Sequence, residues 1–278
     1  MPDSYAQPPA APLPWRLADI DLTAIDRTRV HADETLFYLL ATSSFVEIAS
    51  ALYTRNLSAY YASDQGVLDW LNDYWEQEEI QHGRALRAYV QAVWPEFDWE
   101  AANAAFYAEY SARCTLEEFE PTPALELVAR CVVETSTATF YRTVHQYTDE
   151  PVLKAITGHI KSDEVRHYSH FYKFYQQHHA RERVGRAKST RAIIRRVIEV
   201  ANDDGLIAFR HAFAYRHPQR VFERRHYDAF LGDVRRIMRR HFPVEMALKM
   251  LLKPLYLPAG LQRVMLPPLR MATRLVLG

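Results

Sequence analysis

Cysteine and glycine are scarce in this chain of 278 residues. Its two cysteines, Cys114 and Cys131, are too few for a disulfide framework, and the sequence does not open with a basic, apolar signal-like segment. The 8 glycines, against 15 prolines, are too few for a fold rich in tight β-turns or phosphate-binding loops. No uninterrupted apolar run reaches the roughly 18 residues that a membrane-spanning helix needs. These absences predict a cytoplasmic protein in a reducing compartment.

Charge is balanced over the whole chain but distributed unevenly along it. Lys and Arg together number 34, as do Asp and Glu. Residues 1–180 carry a net charge of −13 and residues 181–278 a net charge of +13. Apolar residues make up 49%, an ordinary globular proportion. The sequence therefore predicts an acidic body with a basic flank.

Proline positions and apolar spacing predict an all-α fold. Residues 1–15 contain five prolines and are expected to form a disordered leader. Long helices are predicted over 33–62, with Asp33 as cap, and over 67–94, followed by a shorter helix capped by Asp98. Thr122-Pro123 and Glu150-Pro151 each place a capping side chain before a proline and predict the starts of two more long helices.

These elements divide the chain into three parts. Residues 16–182 contain the four long helices, which come as two pairs. Residues 183–278 form a basic helical extension packed on them, with breaks expected near Gly185, His217-Pro218 and Phe242-Pro243. The tail from Pro254 has four prolines and is expected to be less regular.

Two of the long helices contain the same short pattern, a Glu-x-x-His preceded by a second carboxylate. The copies are Glu78-Glu79-Ile80-Gln81-His82 and Asp163-Glu164-Val165-Arg166-His167. The i, i+3 spacing places Glu and His on one helical face. A single copy is typical of a solvated helix surface, but two copies in separate helices require a common explanation.

One helix before each copy, the sequence contains a glutamate surrounded by apolar or small residues. Glu47 lies 32 residues before Glu79, and Glu134 lies 30 residues before Glu164. A buried carboxylate is costly unless it is paired, and two divalent metal ions balance four carboxylates. One Glu from each of two helices and Glu-x-x-His from each of two others is the ligand set of ferritin-like two-metal bundles. The predicted metal ligands are Glu47, Glu79, His82, Glu134, Glu164 and His167.

Over about residues 30–180 the chain resembles the soluble acyl-carrier-protein desaturases of the ferritin-like superfamily. That family's Trp-x-x-Glu-Glu-x-x-His-Gly segment stands here as Trp75 to Gly83, and its Asp-Glu-x-Arg-His segment as Asp163 to His167. Thr137 matches a threonine three residues after the third ligand Glu. The resemblance implies a ferritin-like four-helix bundle with two iron ions, and a catalytic role for Thr137 beside the oxygen-binding face.

The resemblance also implies how the ligand histidines are supported. A ligating imidazole usually donates its second N–H to a carboxylate. In the family, each such carboxylate serves the histidine of the opposite helix, which assigns Asp163 to His82 and Glu78 to His167. Arg166 is expected to form an ion pair. Trp75 is expected to pack in the core, with a place on an electron route to the metals as the alternative, and Tyr141 is expected to pack or to line an apolar tunnel. Five other histidines are expected to lie outside the site: His145, His159, His170, His178 and His179.

The implied activity is O₂-dependent oxidation of an unactivated C–H bond, giving a double bond or a hydroxyl group on a fatty acyl chain held by acyl-carrier protein. Because the sequence contains no dinucleotide fingerprint, electrons are expected from a separate ferredoxin- or flavoprotein-type donor. Manganese is also accepted by Glu and His ligands. Two alternatives stay open: a di-iron oxygenase acting on a small or aromatic substrate, and ferritin- or rubrerythrin-type handling of iron or peroxide.

The basic flank has several candidate partners. Its arginines can pair with the acidic body of the same chain, bind an acidic carrier protein, or bind a membrane surface through the tail beyond Pro254. The acidic carrier is favoured, with the tail covering apolar surface or a homodimer partner. Nucleic acid is disfavoured because no recognition motif accompanies the arginines.

Overall fold

The computed structural model describes residues 13–114, 119–200 and 204–277. Within these ranges every regular element is helical, which confirms the predicted all-α class. Most of the predicted leader, residues 1–12, lies outside the described residues. Trp15, which we assigned to the leader, is instead buried in the core, with 5% of its surface exposed.

The described ranges contain thirteen α-helices, which we number in chain order. Three short 3₁₀ turns, Leu17–Asp19, Leu22–Ala24 and Lys253–Leu255, and a π-helical turn, Leu71–Trp75, accompany them. The helices are α1 Arg27–Val30, α2 Glu34–Ile48, α3 Ser50–Tyr60, α4 Gln65–Trp70, α5 Glu76–Val93, α6 Trp99–Tyr110, α7 Pro123–Tyr147, α8 Pro151–Glu182, α9 Arg186–Val200, α10 Asp204–Arg216, α11 Arg224–His241, α12 Val244–Leu252 and α13 Ala259–Leu277.

Side-chain caps begin four of the helices, three of which (α2, α7 and α8) carry candidate site residues. In each case the capping oxygen accepts a hydrogen bond from the backbone N–H three residues later, which satisfies an amide that the helix itself leaves unpaired. The caps are Asp33 for α2, Asp98 for α6, Thr122 for α7 and Glu150 for α8. The predicted caps and the breaks before α9, α11 and α12 are confirmed.

Both predicted helices in the first half are interrupted. The helix predicted over 33–62 breaks at Ala49, between α2 and α3, and the one predicted over 67–94 contains the π turn Leu71–Trp75. Neither break coincides with glycine or proline. The first lies beside Ile48, whose backbone packs tightly against Gly83 of α5. The break therefore lies where α2 packs closely against α5, a contact that the local sequence does not reveal.

The prediction of a less regular tail was wrong. The tail forms α13, which continues through Pro267 and Pro268. Proline removes a backbone donor and disfavours a helix interior by about 3 kcal/mol. The helix nevertheless continues through both prolines, and it packs against α11 and α12.

The packing brings α2, α5, α7 and α8 together. α7 lies along α8, α2 lies along α5, and α5 also contacts α8. The extension surrounds this group: α9 and α12 pack on α7, and α10 packs on α2 and α6. The stretch Glu34–Tyr60 is long and apolar enough to cross a membrane by length and composition alone, but 67% of its most apolar window is buried in the protein. It is packed as a core segment.

Salt bridges join part of the basic flank to the acidic body. Arg216 of α10 lies 2.6 Å from Glu34 at the start of α2, and Arg210 pairs with Glu109 of α6. Arg195 of α9 lies 3.5 Å from Glu120. For these arginines, pairing within the same chain is observed.

Candidate metal centre

The six predicted ligands converge from four helices into the interior. Glu47 lies in the last turn of α2, and Glu134 is central in α7. Glu79 and His82 lie one turn apart on α5, as do Glu164 and His167 on α8. None of the six is more than 7% exposed. A set of four carboxylates and two imidazoles in such an interior needs compensating charge or shared protons.

The six residues form two overlapping groups that can each hold a metal ion. One group is Glu47, Glu79, His82 and Glu164, and the other is Glu79, Glu134, Glu164 and His167. Within each group the candidate ligand atoms all lie within 4.8 Å of one another. Glu79 and Glu164 belong to both groups. The geometry therefore offers two neighbouring positions, each with one histidine and one carboxylate of its own and two carboxylates in common.

The donor atoms of the two histidines fit a metal. Nδ1 of His82 lies 3.3 Å from Oε1 of Glu164, and Nδ1 of His167 lies 2.9 Å from Oε1 of Glu79. Both Nδ1 atoms and Oε1 of Glu164 are buried without a hydrogen-bond partner among the described residues. Buried polar atoms are rarely left unsatisfied in proteins. A bound cation would give each of these three buried atoms a partner, so the donor set fits a metal.

The opposite nitrogen of each imidazole points to a carboxylate on the other motif helix. Nε2 of His82 lies 3.0 Å from Oδ2 of Asp163, and Nε2 of His167 lies 2.6 Å from Oε2 of Glu78. Since an ionised carboxylate only accepts, the imidazole donates in both bonds and its Nδ1 is left to face the cluster. Arg166 donates to Glu78 at 2.8 Å and pairs with Asp163 at 2.9 Å, the ion pair expected of it.

Two tryptophans hold carboxylates of the site. Nε1 of Trp75 donates to Oε1 of Glu134 at 3.2 Å, and Nε1 of Trp15 donates to Oδ2 of Asp163 at 2.7 Å. Trp75 is buried as expected, but it also orients a candidate ligand. Trp15 was missed, because it lies outside the predicted helices and no helical spacing connects it with Asp163.

Two hydroxyl groups also reach candidate ligands. Tyr141, expected to pack or to line an apolar tunnel, donates a short hydrogen bond to Oε1 of Glu47. Its position seven residues after Glu134 places both on one face of α7, a signal that spacing contained. Oγ1 of Thr137 lies 2.5 Å from Oε2 of Glu164 and donates to it. Thr137 therefore lies beside a carboxylate common to both metal positions.

The surroundings of three of the four carboxylates, Glu47, Glu79 and Glu134, raise their pKa values. Burial, aided by the negative charge of Glu164, raises the pKa of Glu47. Burial, together with the negative charges of Glu164 and Glu47, raises the pKa of Glu79 well above its ordinary range. Burial also raises the pKa of Glu134 to about 8, although its hydrogen bond with His167 opposes the change. Protons on these carboxylates would thus reduce the buried negative charge that two divalent cations would otherwise balance.

The carboxylates around the two imidazoles favour the charged form of each ring when no metal is bound. Burial disfavours the charge, but the hydrogen bond with Asp163 and the negative charge of the nearby Glu164 raise the pKa of His82 well above its ordinary value. His167 behaves in the same way through its carboxylate partners. Asp163 is also buried, yet the hydrogen bond and charge of His82 lower its pKa to about 2. Asp163 therefore remains an ionised acceptor for His82.

The remaining histidines of this region have other partners. His159 stacks on Trp15, His170 stacks on Trp70, and Nε2 of His178 lies 2.8 Å from Asp64. None of the five histidines expected to lie outside the site belongs to the two ligand groups found among the described residues.

Compared with protein-family models and with curated proteins, the sequence matches none of them. The geometry of the site therefore carries the functional argument.

Proposed function

We propose that this chain is an O₂-dependent oxidoreductase whose α2, α5, α7 and α8 form a ferritin-like bundle around two iron ions. The observation that carries the proposal is the overlap of the two ligand groups in Glu79 and Glu164. Two carboxylates common to both groups favour a pair of ions over a single one. A single ion bound in one group would leave the two buried residues that belong only to the other group without a bound cation.

Charge and ligand type support the same proposal. Four carboxylates balance two divalent ions, and the neutral imidazoles complete each position without adding charge. Glu and His ligands suit iron and also accept manganese, so iron is the first choice and manganese the second. When bound, an iron pair supplies the oxidising power for an unactivated C–H bond, which amino-acid side chains lack.

The chain's own residues would prepare and enclose this centre. Asp163 and Glu78 fix the imidazole tautomers, so that Nδ1 of each ring stays free to ligate. Trp75 and Tyr141 hold the two carboxylates that belong to one group each. The hydroxyl of Thr137 lies at a shared carboxylate, where it can hydrogen-bond to an oxygen species or transfer a proton.

The substrate class is proposed from the resemblance: a fatty acyl chain on an acyl carrier, oxidised in the cytoplasm with electrons from an external donor. Oxidation of a small or aromatic substrate remains the second hypothesis. Iron or peroxide handling is less favoured, because the extension from Arg186 to Leu277 costs conformational entropy to order and has no role in it.

Metal analysis tests the centre directly. Purified protein reconstituted anaerobically with Fe²⁺ should hold about two ions per chain. Glu164→Ala removes a ligand from both groups and should abolish binding at both positions, whereas Glu134→Ala should weaken chiefly one. Glu76→Gln is the matched control, because Glu76 begins α5 and lies outside both groups. Two ions per chain in Glu164→Ala would contradict the assignment.

A single-turnover experiment tests the activity. The reduced iron protein is mixed with O₂, with and without acyl-carrier substrates, and the products are analysed by mass spectrometry. A new double bond or hydroxyl group on the acyl chain supports the desaturase-like hypothesis. If two iron ions are bound but acyl chains are unchanged and an aromatic substrate is oxidised, the second hypothesis replaces it.

A further inference from the structure

Helix α13 has apolar side chains on two sides. Its half-buried residues include Met265, Leu266 and Leu269, and the helix packs against α11 and α12. A second set of large apolar residues faces away from the protein at spacings of three, seven and four residues, which follow one face of a helix. This outer face consists of Leu261, Val264, Met271 and Leu275, which are 43%, 72%, 64% and 74% exposed.

The charge around this outer face is of one sign. The last acidic residue of the sequence is Glu245, and five cationic residues follow it. Arg263 and Arg274 of α13 are exposed, and the described residues place no carboxylate within 4 Å of either. An exposed apolar stripe bordered only by cations is typical of helices that lie in the interface of an anionic membrane.

A cationic groove lies beside the same helix. It has a volume of about 920 Å³ and runs between α11, α12 and α13. Six cationic side chains line it, against the single carboxylate of Glu245, which pairs with Lys249 at 2.8 Å. The cationic residues are Arg142, Arg239, Arg240, Lys249, Arg270 and Arg274. Guanidinium groups bind phosphate oxygens well, so the groove suits a lipid headgroup.

We propose that α13 docks this protein on a membrane surface containing anionic phospholipids, with the outer face of α13 among the acyl chains and the groove at the headgroups. A membrane of this kind offers an apolar phase to the exposed apolar face of α13 and anionic headgroups to the cationic groove. A second copy of the chain is disfavoured, because a symmetric pairing of α13 would bring together two helices that carry only positive charge. The proposal is independent of the metal centre.

Vesicle binding tests the proposal with the full chain. The protein should sediment with vesicles of phosphatidylglycerol and phosphatidylcholine, bind phosphatidylcholine alone more weakly, and be released by salt. Val264→Asp with Met271→Asp should weaken binding about ten-fold or more, because two inserted apolar side chains are lost. Arg263→Gln with Arg274→Gln keeps the apolar face and should reduce binding only to the anionic vesicles.

Val221→Asp is the matched control. Val221 is 82% exposed but lies between α10 and α11, away from the outer face, so its replacement should leave vesicle binding unchanged. Metal content measured on every variant separates loss of docking from loss of folding or of the metal centre. No binding to anionic vesicles, or full binding by the aspartate variant, overturns the proposal. So does a dimer in the absence of vesicles that the same variant dissociates, or an acidic carrier protein that binds this face while vesicles do not.

Discussion

At Gly83, α5 packs closely against the end of α2, next to the candidate ligand Glu47. A Cβ at this position would lie 2.4 Å from Cγ1 of Ile48, 2.7 Å from the backbone nitrogen of Ile48 and 3.1 Å from Cβ of Glu47. Overpacking of this kind costs about 1–3 kcal/mol, and alanine regains about 1 kcal/mol of helix propensity. Because a backbone atom is among the contacts, relief requires the helices to separate. The backbone contact places the cost in the upper part of the range, about 2–3 kcal/mol. After the gain in helix propensity is subtracted, we expect Gly83→Ala to lower the free energy of unfolding by about 1–2 kcal/mol.

The same change should weaken metal binding, since separation of the helices displaces Glu47 from its group. Gly232→Ala is the control, because a Cβ on this glycine of α11 meets no atom within 4 Å and should stabilise by about 0.5–1 kcal/mol. Denaturant unfolding and iron titration measure both effects. If Gly83→Ala matches the parent in stability and in iron affinity, the close approach of the helices does not position Glu47.

Three further predictions concern the hydrogen bonds and protons of the centre. Thr137→Val removes the hydroxyl that donates to Glu164, so it should lower the free energy of unfolding by about 1 kcal/mol while two metal ions still bind. If O₂ consumption stays coupled to product formation and no additional peroxide is released, the hydroxyl has no part in oxygen chemistry. Trp15→Phe should lower stability by about 1.5–3 kcal/mol, because a hydrogen bond to ionised Asp163 is lost, and equal denaturation midpoints at equal slope would contradict this. Metal uptake should release protons, because burial raises the pKa of Glu134 to about 8 and a ligating carboxylate must be ionised. Apparent iron affinity should therefore rise with pH across the neutral range, and a pH-indicator titration that detects no released proton near pH 7 would contradict this.

The predicted ligand residues followed from relations within single helices. Glu79 with His82, and Glu164 with His167, are three residues apart, and this spacing alone places each pair on one face. Helix type and the caps at Asp33 and Glu150 were likewise predictable, because apolar period and capping are local properties. The unequal charge of the two halves was also legible from the sequence.

Relations between helices were decided only by the tertiary structure. Trp75 and Glu134 are separated by 59 residues, Tyr141 and Glu47 by 94, and Trp15 and Asp163 by 148. No periodicity links positions so distant, and their contacts depend on how whole helices pack. The same packing interrupts the first long helix at Ala49 and brings Glu79 and Glu164 into both ligand groups. It also turns one side of α13 outward, because burial on one face of a helix leaves the opposite face to the surroundings.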